Sequence, residues 1–151
     1  MFKMVHMWTS NINANLINGV VLLDLRKAFD LVNHEALIRK LSAYQCSQAA
    51  LNWFESYLTS RNQKVVFKGH TSIPLPVQTG VPQGSILGPL LFILFMNDLP
   101  LHMSHSQVDM YADDSTLTVS GDCLVDISEG LNSDLETARH WCDVNKMAIN
   151  Q

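Results

Sequence analysis

No apolar run in this chain is long enough to cross a bilayer. The longest, Ile86 to Met96, spans about eleven residues and is interrupted by Gly88 and Pro89, whereas a spanning helix needs about 20. Cysteine is scarce too. Cys46, Cys123 and Cys142 lie far apart with no Cys-x-x-Cys pair, which disfavours a disulfide scaffold or zinc ribbon and suits a reducing compartment. Basic residues are outnumbered, 10 against 14 acidic, for a net charge of −4. That balance argues against tight independent binding to a phosphate backbone, without excluding chemistry performed on one. Met1 to Trp8 lacks a sustained apolar core and runs into Thr9-Ser10-Asn11, so it is a poor signal peptide. His102-x-x-His105 lacks two further metal ligands and reads as a loop. No internal repeat or low-complexity tract is present.

What the chain does have is carboxylates in telling places. Tyr111-Ala112-Asp113-Asp114 sits between Gln107-Val108-Asp109-Met110 and Ser115-Thr116-Leu117-Thr118-Val119, with Val108, Met110, Leu117 and Val119 apolar at alternate positions. Alternation on both sides of a tight turn predicts a half-buried hairpin with two acids at its tip. Adjacent like charges resist joint ionisation, and a divalent cation relieves them. A solvated turn accounts for the pair as well at this point. A third acid weighs against it. Gly19 to Leu25 is a near-continuous apolar run, predicted to form a strand buried on both faces, and Asp24 lies near its carboxyl end. A charge there must be paired, bound to metal or lifted clear of the core. If that strand neighbours the hairpin, three carboxylates converge into a hard-oxygen site suited to Mg²⁺.

Around these elements the pattern is α+β. Val5, Trp8, Ile12 and Leu16 recur at helical spacing and predict a first helix feeding a turn at Gly19. Asn33 can cap a helix with Leu37, Ile38, Leu41 and Tyr44 on one face, and Ser47 another with Leu51, Phe54 and Leu58 inward. A hairpin is expected around Lys68-Gly69-His70, ended by Pro74 and Pro76. Ile86 to Met96 reads as a helix buried all round, with Pro89 in its first turn and Pro100 stopping it. Asp126-x-x-Glu129 resembles a capping box for a last helix burying Ile127, Leu131, Leu135, Ala138 and Cys142. Met147 to Asn150 reads as a short strand. Strand-helix-hairpin-helix-strand is the split βαβ order of a ferredoxin-like layer, an antiparallel sheet backed by helices. With 151 residues, 47% of them hydrophobic, one core and one domain are expected.

Leu23-Asp24-Leu25-Arg26-Lys27-Ala28-Phe29-Asp30, Gly80-Val81-Pro82-Gln83-Gly84-Ser85 and Tyr111-Ala112-Asp113-Asp114 resemble, in order, the three palm motifs of reverse transcriptases. Ser56 to Gln63 and the run from Gly88 to Pro100 resemble the non-LTR, LINE-like retrotransposon branch. The resemblance covers nearly the whole chain and implies a partial reverse transcriptase domain over 1–151. By that resemblance the fingers and thumb segments are expected to be missing, with no second domain. It implies RNA-directed DNA polymerase activity: a primer 3′-hydroxyl attacks the α-phosphate of a dNTP on an RNA template with a DNA primer. Two Mg²⁺ ions, with Mn²⁺ as a substitute, would assist.

By the same resemblance Asp24 and Asp113 are the main metal ligands and catalytic residues, with Asp114 close by and more tolerant of change. Phe29 would lie against the nucleotide sugar and exclude a 2′-hydroxyl, and the amides of Lys27 and Ala28 would meet the triphosphate. Gln83 and Gly84 form the nucleotide and template side: the amide donates and accepts, and the glycine permits close backbone approach. Tyr111 would pack beneath the turn. Asp30 reads as structural support, through capping of a helix start. Arg61 and Lys64 are candidate strand-backbone contacts. No membrane or disulfide partner is expected, and the nucleus is the location the family implies. Two alternatives stand beside this reading. One is an inactive retroelement remnant that folds without polymerising; the other is an unrelated Mg²⁺ phosphohydrolase using the same acids.

Overall fold

The computed structural model describes residues 2–150. In chain order the elements begin with α1 (Phe2–Asn13), β1 (Ile17–Leu23), α2 (Ala28–Leu31), α3 (His34–Ala43) and α4 (Gln48–Leu58). Four two-residue strands follow: β2 (Asn62–Gln63), β3 (Val66–Phe67), β4 (His70–Thr71) and β5 (Leu75–Pro76). The remainder is α5 (Leu87–Met96), a 3₁₀ turn (Leu99–His102), β6 (Gln107–Tyr111), β7 (Asp114–Gly121) and α6 (Leu124–Asn145). Two compact units result. One joins the chain up to Arg26 with the chain from Asn97 onward, and the other is Lys27–Met96.

The first unit is an antiparallel sheet in the order β1-β7-β6 with α1 and α6 against it. Gly19 pairs with Val119, Val21 with Leu117 and Leu23 with Ser115, while Val108 and Met110 of β6 reach Leu117 and Ser115 from the other side. Strand alternation puts these residues on one face, and α6 covers it. A Cβ on Gly19 would lie 2.3 Å from Ile127 Cγ2 and 2.8 Å from Leu131 Cδ1, so the missing side chain is what lets α6 seat on the strand. The turn expected at Gly19 is therefore a mid-strand contact. At the far edge of β1, Leu25 bridges Ile149 and the Arg26 amide donates to the Ala148 carbonyl at 2.8 Å. The strand expected over Met147 to Asn150 is thus a short bridge, and the order of the expected ferredoxin-like layer is complete.

On the opposite face Trp8 Nε1 donates to Thr118 Oγ1 at 3.2 Å, and Asn18 Nδ2 donates to the Trp8 carbonyl at 3.2 Å. Helix α1 covers only this end. Further along, Leu22 is 76% exposed, so β1 is buried on one face and not on both as expected. Helix α6 starts at Leu124 with Cys123 in the N-cap position and no side-chain cap. Asp126 and Glu129 therefore do not form a capping box, and Asp126 instead lies in the first turn, where the helix dipole favours an acid. Ile127, Ala138 and Cys142 are buried as expected, and burial, then the neighbouring Asp143 charge, pushes the Cys142 thiol up to about 11.

In the second unit Asn33 Oδ1 accepts from the Ala36 amide at 2.9 Å and Ser47 Oγ from Ala50 at 3.3 Å, so both expected caps form. Helix α3 packs on α4 and α5. Leu37, Leu41, Leu58, Leu91, Phe92 and Phe95 are buried. Helix α5 is not buried all round: Leu90 and Ile93 are about half exposed and Ile86, just before it, fully so. Its run is apolar on every side, but only one stripe meets neighbours. The β3–β4 hairpin turns at Lys68 (φ 47°) and Gly69 (φ 80°), the signs of a type I′ turn. Pro76 pairs with Asn62 in a second ladder rather than ending the first, an edge position that tolerates proline. Among the described residues no helix is long and apolar enough to cross a membrane, and the three cysteines are free.

One buried charge anchors the approach to the hairpin. Asp134 on α6 is 1% exposed and accepts backbone amides of Ser104 (3.1 Å), His105 (3.0 Å) and Ser106. Burial alone would raise its carboxyl, but the hydrogen bonds from the Ser104–Ser106 segment outweigh it and hold the group below its usual range. A depressed carboxylate stabilises the fold above its unfolded value, near 3.8, and that contribution is lost as pH falls through the folded value. Asp134→Ala should therefore cost about 3 kcal/mol at neutral pH, from amides left without an acceptor. In urea melts the gap from the parent chain should narrow below about pH 4; a gap independent of pH would refute this account.

Candidate active site

Tyr111 pairs with Asp114, so Ala112 and Asp113 form the two-residue turn of the β6–β7 hairpin. Ala112 has φ 55°, the left-handed region at the first turn position, where glycine is usual in a type II′ turn. The β1–β7 ladder ends at Leu23–Ser115, and Asp24 and Asp114 are the next residues beyond it on the two strands. Strand alternation puts Asp114 on the open face with Leu22, Thr116 and Asp109, and Asp113 is in the adjoining turn. The three sequence-predicted acids thus gather at one end of one sheet.

Asp24 is paired with Asn150. Its Oδ2 accepts from Asn150 Nδ2 at 2.8 Å, and the Asn150 amide donates to the Asp24 carbonyl at 2.9 Å. Asp24 and Asp114 are exposed and Asp113 is half-buried. Among the described residues no three acid, imidazole or thiol groups stand close enough to hold a metal ion by themselves. Mg²⁺ seldom uses such a cage; it takes one or two carboxylates and fills the rest with water and phosphate oxygens. Three carboxylates at one end of the sheet, all hard oxygen donors, suit that ion. Tyr111 does not pack beneath the turn: it is 85% exposed, because the register puts it on the open face with Asp109 and not against α6.

The second unit holds the other predicted residues. Lys27 has φ 47° and precedes the single turn of α2. Left-handed backbone at a non-glycine costs about 1–2 kcal/mol; Lys27 and Ala112 adopt it, as do five other turn residues among those described. The amides of Lys27 and Ala28 open this turn and have no acceptor among the described residues. Ala28 itself is buried. Phe29 stacks on the buried Phe92, with ring centroids 4.2 Å apart.

The loop before α5 is clamped to this segment. Gly80 N donates to Val32 O at 2.8 Å, Val81 N to Phe29 O at 2.9 Å, and Thr79 Oγ1 to Asp30 O at 3.0 Å. His34 Nε2 lies 2.8 Å from the Gly80 carbonyl. Asp30 makes no side-chain cap but lies in the first turn of α2, where an acid is favoured, and its Oδ1 accepts from Gln83 Nε2 at 2.8 Å. Gly84 has φ 79° with nothing within 4 Å of an added Cβ, so it leaves the loop open on that side. Lys27, Asp30, Arg61, Gly80 and Gln83 line one cavity of about 680 Å³.

Sequence reading missed Asn150, Phe92, Asp134 and Asp109. An asparagine near a short apolar stretch, or an apolar residue in a helix, carries no local signal of its partner. Only Asp109 was readable, being an even number of residues before the turn, on the face opposite Val108 and Met110.

The split βαβ sheet with acids at its hairpin tip defines a polymerase palm. A solved apo telomerase from Candida tropicalis, truncated from its C-terminal domain, shares the fold over 89% of this chain and 30% of its own, with a TM-score of 0.66 at 10% identity. The family model "Reverse transcriptase (RNA-dependent DNA polymerase)" matches residues 4–151. Among curated relatives, the "RNA-directed DNA polymerase from mobile element jockey" of Drosophila melanogaster is 33% identical over 135 residues, 85% of this chain. The "Probable RNA-directed DNA polymerase from transposon BS" of the same species is 36% identical over 131 residues, 82% of this chain. The chain belongs to the reverse transcriptase family, in its non-LTR retrotransposon branch, which sets aside an unrelated phosphohydrolase. It spans 14–15% of the length of these two relatives.

The clamp has a testable weak point. At Gly80 (φ 89°) an added Cβ would lie 2.9 Å from both Cα and O of Asp30 and 3.0 Å from Phe29 O, all of them backbone. Gly80→Ala should cost about 2–4 kcal/mol, from overpacking together with left-handed strain. Hydrogen exchange at the Val81 amide should accelerate at least as much as the global rate; unaltered protection there would show the loop is not clamped as described.

Proposed function

We propose that this chain is the palm segment of an RNA-directed DNA polymerase, adding dNTPs to a DNA primer 3′-hydroxyl on an RNA template. The observation that supports it is the register of β1 against β7, which ends at Leu23–Ser115 with Asp24 and Asp114 the next residues, in a chain of this family. Asp24 and Asp113 would be the principal metal holders and Asp114 a secondary one. Bound there, two Mg²⁺ ions, or Mn²⁺ in their place, would activate the attacking hydroxyl and offset charge on the in-line transition state.

The chain's own groups do the rest. Asn150 holds Asp24 through one oxygen, so the other is free to point at a ligand. The Lys27 and Ala28 amides, with the Lys27 and Arg61 charges along the cavity, receive the triphosphate. Phe29, its ring plane fixed by Phe92, meets the sugar and leaves no room for a 2′-hydroxyl. Fingers and thumb belong to segments flanking this one in a longer polymerase, and such elements act on chromosomal DNA in the nucleus.

Mn²⁺ titration followed by electron paramagnetic resonance tests the site. The parent chain should bind the ion, and Asp24→Asn or Asp113→Asn should weaken binding about tenfold or more, the loss of one charged ligand being worth at least 1.4 kcal/mol. Absence of binding would favour a remnant that folds without polymerising. In primer extension on RNA, the chain alone should be poor or inactive. In a polymerase carrying it between its flanking regions, the same substitutions should lower the rate at least about a hundredfold. Wild-type rates in those variants would refute the assignment.

A further inference from the structure

Charge is unevenly spread along this chain. Residues 56–97 contain no aspartate or glutamate, although the whole sequence has 14, and they carry Arg61, Lys64 and Lys68. Arg61 stands at the foot of the ribbon formed by β2 to β5, and the two lysines lie along it. Every residue from 59 to 76 is exposed, so the ribbon stands clear of the core. None of the three cations joins an ion pair among the described residues.

Aromatic rings are laid out beside these charges. Trp53 and Tyr57, four residues apart on α4, stack with centroids 5.5 Å apart and planes 8° from parallel. Arg61 holds its guanidinium 5.6 Å from the Tyr57 ring centre, and Lys68 its ammonium 5.4 Å from that of Phe67. Trp53 is 53% and Phe67 68% exposed. Open rings beside unpaired cations suit a partner that offers flat faces and negative charge together. A single strand of nucleic acid does so, because every base has a π-face and every link a phosphate. An acidic peptide brings the charge without the faces, and a duplex keeps its faces inside its own stack.

We propose that α4 and the β2–β5 ribbon form a platform for single-stranded nucleic acid, with bases on Trp53, Tyr57 and Phe67 and phosphates on Lys64 and Lys68. Stacking does not read base edges, so the platform is tolerant of sequence. It is built wholly from the second unit, uses none of the acids of the metal site and needs no metal ion. Its test is therefore separate from that of the polymerase reading.

Fluorescein-labelled oligo(U) of about 12 nucleotides, added to the full chain at low salt without divalent metal, reports binding by anisotropy. The strand should bind more tightly than a duplex of equal length, and polyglutamate should displace it poorly. Trp53→Ala or Tyr57→Ala should each weaken binding about fivefold or more, the loss of one base stack. Lys64→Gln with Lys68→Gln should flatten the slope of log affinity against log salt by about 1.4, two phosphates at about 0.7 each. The bound strand should also quench tryptophan fluorescence. Trp53→Phe, which keeps a ring in place, should retain most of the affinity and lose most of the quench. Failure of the parent chain to bind, a duplex held as tightly as the strand, ready displacement by polyglutamate, or affinity indifferent to residues 53 and 57 would each overturn the proposal.

Discussion

The antiparallel ladder between β1 and β7 is the constraint on which the rest depends. Its register carries Leu23 opposite Ser115, and everything at the acidic end follows from continuing that count by one. A shift of one residue would turn every side chain of β1 to the other face. Asp24 would then point into α6, and Gly19, whose missing side chain admits Ile127 and Leu131, would be replaced at that contact by Val20. Packing and chemistry therefore select the same register. The hydrophobic face enforces it; the acids benefit from it.

The second unit is organised by a different device. There the backbone of 79–81 is hydrogen-bonded to that of 29–32, and the absence of a Cβ at Gly80 lets the two segments touch. Two stretches that the chain separates by some fifty residues become one rigid lip of a cavity. Left-handed Lys27 sits at its edge, as left-handed Ala112 sits at the carboxylate turn. Asn15, Gln45, Ser60, Lys68 and Lys146 share that sign of φ, so it marks the chain's tight turns in general.

Elements with a strong local signature were readable. Asn33 and Ser47 cap their helices because a short polar side chain before an amphipathic run has few other uses, and the hairpin about Asp113 follows from alternation on both sides of a turn. The failures share a physical cause. Whether Leu22 or Ile93 is covered depends on which neighbours arrive, and an apolar residue looks the same in sequence whether covered or bare. Tyr111 went astray similarly, and Asp30 kept its place at a helix start while gaining a partner the chain did not announce. Tyr111 takes its environment from strand register, and Asp30 finds its partner, Gln83, far along the chain.

By itself the sequence determined the family, through three short motifs in order, and with it the ferredoxin-like layer and the acids of the candidate site. Local rules suffice for that, because motif spacing, capping and period 2 or 3.6 act over a few residues. Tertiary structure alone decided what each acid touches: Asn150 on Asp24, backbone amides on Asp134, the Gln83 amide on Asp30. Such pairings join groups about 30 to 126 residues apart. Chain entropy leaves them undefined until the β1–β7 ladder and the core have closed those loops.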